Sequence, residues 1–334
     1  MAETTTKNAV IKKDKKKYTF NLFSIITLVI LCIYTICFLA PLFWGLNVSF
    51  MSNYQFSTVH DVIGFPKLEY WRWEIDLIKL GIDQNFFANY RVLFKYLDFQ
   101  NRTSFIAGIF FPREVVHTSS TNFWGCIVNT LLYAGGGALV FSFCSMLVGY
   151  LVAKYNFKFS EILYSFVLIT MIIPIGASTV ANIELRRQLG IYDTWIGHYI
   201  NMFGFESMYF LIFYAFFKDL SNTYNEAAEI DGASQFMAMF RICMPLAAKM
   251  FSTVILIQFV VYWNDYTTPM YYMPTKPTLG YALYNLMYVK TGGSLTSAPR
   301  KIAGMMVMSL PMLTLFILLK NKLMGNISIG GIKE

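Results

Sequence analysis

Hydrophobic residues in this chain fall into long uncharged blocks separated by polar connections. A membrane-spanning helix needs about 20 consecutive apolar residues. Leu22 to Leu46 supplies such a run, rich in Ile, Leu and Phe. It is longer than the apolar core of a cleavable signal peptide and ends in Pro41, Phe43 and Trp44, so the expectation is a retained first span over 21–46. Thr121 to Ala153 predicts a second span, and Ile162 to Ile183, bounded by Glu161 and Glu184, a third. Thr194 to Phe217, interrupted by Glu206, predicts the fourth. Met250 to Met273, carrying Gln258, Asn264 and Asp265, predicts the fifth, and Ile302 to Leu319 the sixth. The expected fold class is all-α, a polytopic membrane protein with six transmembrane helices.

Composition agrees with that pattern. Of 334 residues, 56% are hydrophobic and only 14% are charged, against roughly 25% charged in soluble domains. The formal net charge of +8 would suit a nucleic-acid binder, but its placement argues for topology instead. Lys7, Lys12, Lys13, Lys15, Lys16 and Lys17 precede the first span, Lys154 and Lys158 separate the second from the third, and Lys320, Lys322 and Lys333 follow the last. By the excess of Lys and Arg in cytoplasmic flanks, both termini lie inside, with a basic tail at 1–20 and a second tail at 321–334. Arg300 and Lys301 disagree, because they open the sixth span from outside. No nucleic-acid partner is expected. The five cysteines show no metal-ligand spacing and read as small hydrophobes, without disulfides.

The connections are unequal. Residues 47–120 form a long outer segment whose aromatics, including Trp71 and Trp73, suit either a small packed cap or the lipid interface. The connection 218–249 lies inside and is more informative. Asn225 is placed to cap a short helix with Glu226 and Glu229 near its start, and Gly232 permits a turn that a Cβ would resist. Ser234 is placed to cap a second helix bearing Phe236, Met237, Met239 and Phe240, and Pro245 marks a bend before the fifth span. Such a helix pair is either a knob for a groove in a partner or an amphipathic loop on the membrane surface.

The same residues resemble the EAA loop of binding-protein-dependent ABC transporter permeases. Glu226, Ala227, Ala228, Asp231, Gly232, Ala233, Ile242 and Pro245 match the pattern, with Met244 where Leu is usual. Asn129-Thr130, Trp263-Asn264-Asp265-Tyr266 and the tail Ile329-Gly330-Gly331-Ile332-Lys333 are similar to the sugar-type, maltose-permease-like branch. The resemblance implies a transmembrane core over 121–320 that includes the cytoplasmic two-helix EAA loop, in a bacterial cytoplasmic membrane. It implies a second, different permease subunit, a dimer of ATPase subunits and an extracellular solute-binding protein as partners. Glu226, Ala227, Ala228, Asp231, Gly232, Ile242 and Pro245 are then ATPase-coupling residues, with Gly232 as hinge. The chain has no GxxxxGK[ST] phosphate loop, so ATP and Mg belong to the partner ATPase, and no cofactor is expected in this chain. The outer segment at 47–120 is longer than in such permeases.

Polar groups inside spans mark cavities or helix contacts. Glu206 lies roughly 16 Å from the cytoplasmic end of the fourth run at 1.5 Å per residue, unless Gly204 interrupts the helix and leaves the carboxylate wet. Gln258, Tyr262, Trp263, Asn264 and Asp265 complete the candidate substrate path. The rival readings are interhelical hydrogen bonding for Gln258 and Asn264, and an aromatic belt for Trp263 and Tyr266. Gly135, Gly136 and Gly137 would admit a close neighbouring helix, and Pro174 and Pro311 would kink theirs. His60, His117 and His198 show no catalytic spacing. The expected function is the permease subunit of an ATP-driven importer for a sugar or oligosaccharide. The alternatives are another polar solute, such as a polyol, glycerol phosphate or glycan fragment, or a secondary transporter, which would leave the EAA loop unexplained.

Overall fold

The computed structural model describes residues 21–109, 111–155, 158–173, 179–204, 207–289 and 296–326. The chain divides into two compact units, Met1–Gly45 and Leu46–Glu334. The first is dominated by α1 (Leu22–Ser49), a 28-residue helix containing Pro41. Apolar side chains such as Ile26, Leu31, Ile36 and Phe38 are exposed all along it. A helix hydrophobic on every side suits lipid rather than water. The hydroxyls of Thr27 and Thr35 donate to the carbonyls of Phe23 and Leu31, four residues back, and so are satisfied within the helix.

The second unit opens with the long segment that ends at residue 120, which folds on itself. Helices α2 (Asn53–Ser57), α3 (Ile75–Lys79) and α4 (Ala88–Tyr96) surround a small core of Trp71, Leu77, Ile82, Ala88 and Val92. Trp71 is completely buried there, whereas Trp73 is 63% exposed and stacks on Tyr54. The packed cap is therefore the right reading of Trp71. An antiparallel ribbon follows, β1 (Asp98–Ala107) and β2 (Arg113–Asn122), in register from Asp98↔Asn122 to Ala107↔Arg113. It adds one strand pair to an otherwise helical protein. Period-two burial of Phe99, Phe105 and Ala107 against exposed Gln100, Ser104 and Ile106 gives the physical reason.

Asn122 ends the ribbon and starts the next helix, its side-chain oxygen accepting from Gly125 N at 2.9 Å. Helix α5 (Phe123–Lys154) runs for 32 residues, or about 48 Å. It widens to a π-helix at Leu131–Gly136. Near its start it packs with Phe99, Trp263 and Leu279 through Phe123 and Cys126; near its end, Met146 and Tyr150 pack with Phe213, Phe217, Met239 and Cys243. The ribbon and the 218–249 connection therefore sit at opposite ends of α5.

The remaining runs are less regular than their apolarity suggests. The third is described as α6 (Lys158–Ile172) and α7 (Thr179–Gln188), and Pro174 lies outside the described residues. The fourth is divided into α8 (Trp195–Met202) and α9 (Met208–Asp219). Its first part stops before Gly204, as the interrupted reading expects, and Glu206 lies outside the described residues. The next helices are α10 (Thr223–Ile230), α11 (Gln235–Leu246) and α12 (Ala248–Asn264); α11 and α12 meet at 70°. Then come α13 (Thr267–Tyr272), α14 (Leu279–Tyr284) and α15 (Ala298–Asn326), which contains Pro311. Among the described residues α1, α5 and α15 are each long and apolar enough to cross a membrane, and α11 with α12 makes a fourth if counted as one bent span.

The discordant pair at the sixth span has a structural use. Arg300 is 1% exposed and its guanidinium donates to Glu74 Oε2 at 3.0 Å; Glu74 Oε1 accepts from Tyr54 N. Lys301 Nζ donates to Met287 O. Arg300 is thus charge-paired, and Lys301 is held by a backbone carbonyl. All five cysteines are free, with Cys126, Cys144 and Cys243 buried.

Candidate functional site

The 218–249 connection is a helix–turn–helix with defined ends. Ala233 N donates to Ala228 O at 2.8 Å and Gly232 N to Glu229 O at 3.0 Å, the paired bonds of a Schellman helix stop. Gly232 takes φ +79 with open space around it, so the turn needs glycine for its backbone rather than for close packing. Ser234 caps α11 by accepting from Met237 N. The expected cap at Asn225 is corrected. Asn222 holds the N-cap position, and Asn225 sits within α10, its Oδ1 accepting from the Cys243 thiol at 3.1 Å. Burial pushes that thiol's pKa up, so it stays a neutral donor.

The loop is held from beneath by side chains that sequence reasoning assigned elsewhere. Lys154 Nζ, at the end of α5, donates to Leu220 O and to Asn222 Oδ1. Tyr150, Lys154, Asn225, Glu226 and Glu229 line a hollow of about 220 Å³ between α5 and the loop. Ala228 is buried, and Ile242 half-buried. Glu226, Ala227, Asp231, Gly232 and Pro245 are exposed. Met239 of the expected apolar face turns inward, while Ile230 is 86% and Phe236 is 68% exposed. The outer surface of the loop is thus an apolar patch with carboxylates beside it, carried on a rigid turn. The 70° bend after Pro245 joins the patch directly to α12.

The polar residues of the fifth run are brought together unevenly. Asp265 Oδ2 accepts from Tyr133 OH at 2.6 Å, and its Oδ1 accepts from Thr267 N and Thr268 N. Trp263 donates to Met308 O on α15, one residue beyond the Val307 carbonyl that Pro311 deprives of its helical donor. Asn264 is exposed and donates to Val260 O within its own helix. These three are engaged in holding helices. Tyr262 is half-buried, edge-on to Tyr133 and Phe141. Gln258 is buried, and its amide makes no hydrogen bond among the described residues. Asn129 donates to Pro277 O, and Thr130 Oγ1 accepts from Leu279 N, so that motif anchors the segment before α14. A Cβ on Gly136 or Gly149 would meet Tyr199 or Phe213 under 3.0 Å, which explains two of the glycines in α5.

At the other end of the bundle, Asp193 is an unforeseen centre. Its carboxylate is completely buried and accepts from Thr103, His117 Nδ1, Thr275 N and Thr275 Oγ1. Lys276 Nζ lies 3.6 Å from Oδ1 and donates to the Asp193 carbonyl. Asp193 adopts φ +57, a conformation Asp tolerates better than most residues, with its N–H held by Tyr272 O. No sequence spacing joins Thr103, His117, Asp193 and Thr275, so nothing local signalled the cluster.

Residues 145–321, just over half the chain, match the family described as binding-protein-dependent transport system inner membrane component. The chain is 24% identical over 233 residues to the melibiose/raffinose/stachyose import permease protein MelC of Bacillus subtilis, covering 67% of this chain and 83% of that protein. It is 25% identical over 206 residues to the sn-glycerol-3-phosphate transport system permease protein UgpE of Escherichia coli O157:H7, covering 61% and 73%. It is 27% identical over 195 residues to the arabinooligosaccharides transport system permease protein AraQ of Bacillus subtilis, covering 57% and 67%. The fold is shared with a bacterial ABC transporter involved in the import of the acidic polysaccharide alginate, at a TM-score of 0.64 and 20% identity over 90% of this chain and 95% of the other. With its family match running from within α5 to the far end of α15, this chain belongs to the binding-protein-dependent transport system inner membrane components.

Proposed function

We propose that the chain is a permease subunit of an ATP-driven importer for a sugar or oligosaccharide, moved between its two access states by partner ATPases through residues 223–246. The observation that carries the coupling role is the helix–turn–helix itself. It presents exposed Ile230 and Phe236 beside Glu226 on a Schellman turn, braced by Lys154, and runs through one bend into α12. An ATPase cleft that closes on ATP moves such a knob as a unit, and α12 with it. ATP and Mg stay with that partner. Glu226, Ala227, Asp231, Gly232 and Pro245 form the exposed part of the contact, while Ala228 and Ile242 support it from within. Both termini and this loop lie on the ATPase side of the membrane, and the ribbon lies on the side facing a solute-binding protein. A second permease subunit completes the pore.

The solute class rests on similarity to import permeases for melibiose, raffinose and stachyose and for arabinooligosaccharides. Similarity to a glycerol-3-phosphate permease supports a second reading, a phosphorylated polyol. Within the chain, Gln258 and Tyr262 remain the substrate-path candidates, because Gln258 is buried with its amide unengaged among the described residues and Tyr262 stands beside it one turn on. Uptake of labelled raffinose, arabinotriose and glycerol 3-phosphate by cells expressing the complete transporter tests the class. Uptake of either saccharide supports the main reading, and uptake of glycerol 3-phosphate alone replaces it with the second. Co-purification tests the coupling role. An ATPase retained by the wild-type chain and lost from an Ile230→Asp, Phe236→Asp variant is the expected result, and equal retention overturns it.

A further inference from the structure

The Asp193 cluster forms the floor of a cleft of about 660 Å³ between β2, the start of α8 and the segment after α13. That volume falls in the range of small-molecule sites. The wall includes His117, Thr118, Ser119, Trp195 and Lys276. His117 is held by its Nδ1 against the buried carboxylate, which orients the ring and leaves Nε2 as the nitrogen not engaged there. Lys276 is fixed by the same carboxylate and by the Asp193 carbonyl, and brings donors only. Ser119, on the same face of β2 as His117, adds a hydroxyl that shares a hydrogen bond with Thr121 and can both donate and accept. Trp195, half-buried at the first turn of α8, adds an apolar aromatic surface and an indole N–H.

Donors, acceptors and an aromatic surface in one cleft match the hydroxyls and C–H faces of a sugar. The charge balance selects among solutes. The Lys276 ammonium is paired with the Asp193 carboxylate and is not free to pair with an anion. We infer that this cleft is an outer saccharide subsite, binding one unit of an uncharged, hydroxyl-rich solute between Trp195 and the His117–Lys276 pair. The inference rests on the proposed solute class and on the ribbon facing outward. It assigns to the ribbon, which extends the outer segment, a part in receiving the solute ahead of the membrane path.

The permease–ATPase complex in lipid nanodiscs, without binding protein, is titrated with raffinose, arabinotriose and glycerol 3-phosphate and followed by saturation-transfer difference NMR. The expected result is a saturable signal from a saccharide, at least tenfold weaker in Trp195→Ala and in His117→Ala but retained in Trp195→Phe, which keeps an aromatic surface and preserves the α8 packing. No saturable saccharide signal, or one that Trp195→Ala leaves unchanged, overturns the subsite. A signal from glycerol 3-phosphate alone overturns it as well. If Trp195→Ala lowers uptake in the presence of binding protein while the nanodisc signal is unchanged, the cleft is a protein-docking surface and the inference fails. The uptake assay above keeps the two levels apart: saccharide uptake without a Trp195-dependent signal removes the subsite and leaves the importer reading, and absent saccharide uptake removes the solute class itself.

Discussion

Single residues in this protein have roles set by backbone geometry and burial more than by residue type. Gly232 is required by its φ of +79. Because the space around it is open, Gly232→Ala tests conformation alone, at a cost of about 1–2 kcal/mol for a left-handed residue. The expected phenotype is normal membrane insertion with transport-linked ATP hydrolysis reduced several-fold. Gly232→Pro, whose ring fixes φ near −65°, is expected to uncouple the two altogether; uptake at the wild-type rate in the Pro variant would remove Gly232 from coupling. At the opposite end, breaking the buried Glu74–Arg300 pair is expected to cost about 3–5 kcal/mol, because one charge is left without its partner. Arg300→Met should therefore lower the thermal midpoint of the purified protein clearly. The double change Arg300→Met, Glu74→Met should recover most of it, as read by fluorescence-detected size exclusion after heating.

Elements show how much could be read from sequence. The apolar runs located α1, α5 and α15, because a block without charge in lipid has few alternatives to helix. The EAA stretch yielded its two helices and the glycine stop, since those signals are local. Asn225 was misassigned because Asn serves equally as a cap or as a side-chain acceptor, and only the position of Cys243 decides between them. The break in the fourth run was legible only as an alternative, through Gly204, and the ribbon at 98–122 was not legible. Hydropathy measures partition into lipid and does not register where a helix ends inside an apolar stretch. Trp263, Asn264 and Asp265 drew attention as polar or aromatic groups near one end of the fifth run, yet their partners, Met308, Val260 and Tyr133, lie on other turns or other helices and give no sequence signal. Lys154 was read as a charge beside the inner leaflet and proves also to clamp the α9–α10 junction. Lys154→Met is expected to weaken that junction by no more than about 1.5 kcal/mol. Faster amide exchange across 222–230, with α5 unchanged, is the observation that checks it.

For the whole molecule, the charge pattern and the fold make one topological statement. Arg300 and Lys301 opposed the orientation set by the other basic flanks; Arg300 is paired with Glu74 and so is no free flanking charge, while Lys301 is held by the Met287 carbonyl and keeps its charge. The orientation then predicts labelling. In a chain from which the five native cysteines have been removed, Phe111→Cys in the ribbon turn should react with a membrane-impermeant maleimide from outside intact cells. Ile230→Cys should react only after permeabilisation. The reverse pattern would invert the topology and with it the assignment of the ATPase side.

The long-range contacts of Glu74 and Asp193 also bear on the order in which this chain can be made. Glu74 waits for Arg300, 226 residues later, and Asp193 waits for Thr275, 82 residues later. Until the ribosome has delivered the start of α15, Glu74 lacks the guanidinium that makes its burial tolerable, and until residues 275–276 are made Asp193 has only Thr103 and His117 as partners, so both regions are expected to stay hydrated while the earlier spans are already in lipid. Nascent chains stalled before residue 275 should therefore leave 47–122 open to an external protease, and chains stalled beyond α15 should protect it. On this expectation the Glu74 region matures last, and its protection from protease reports that the final helix has arrived.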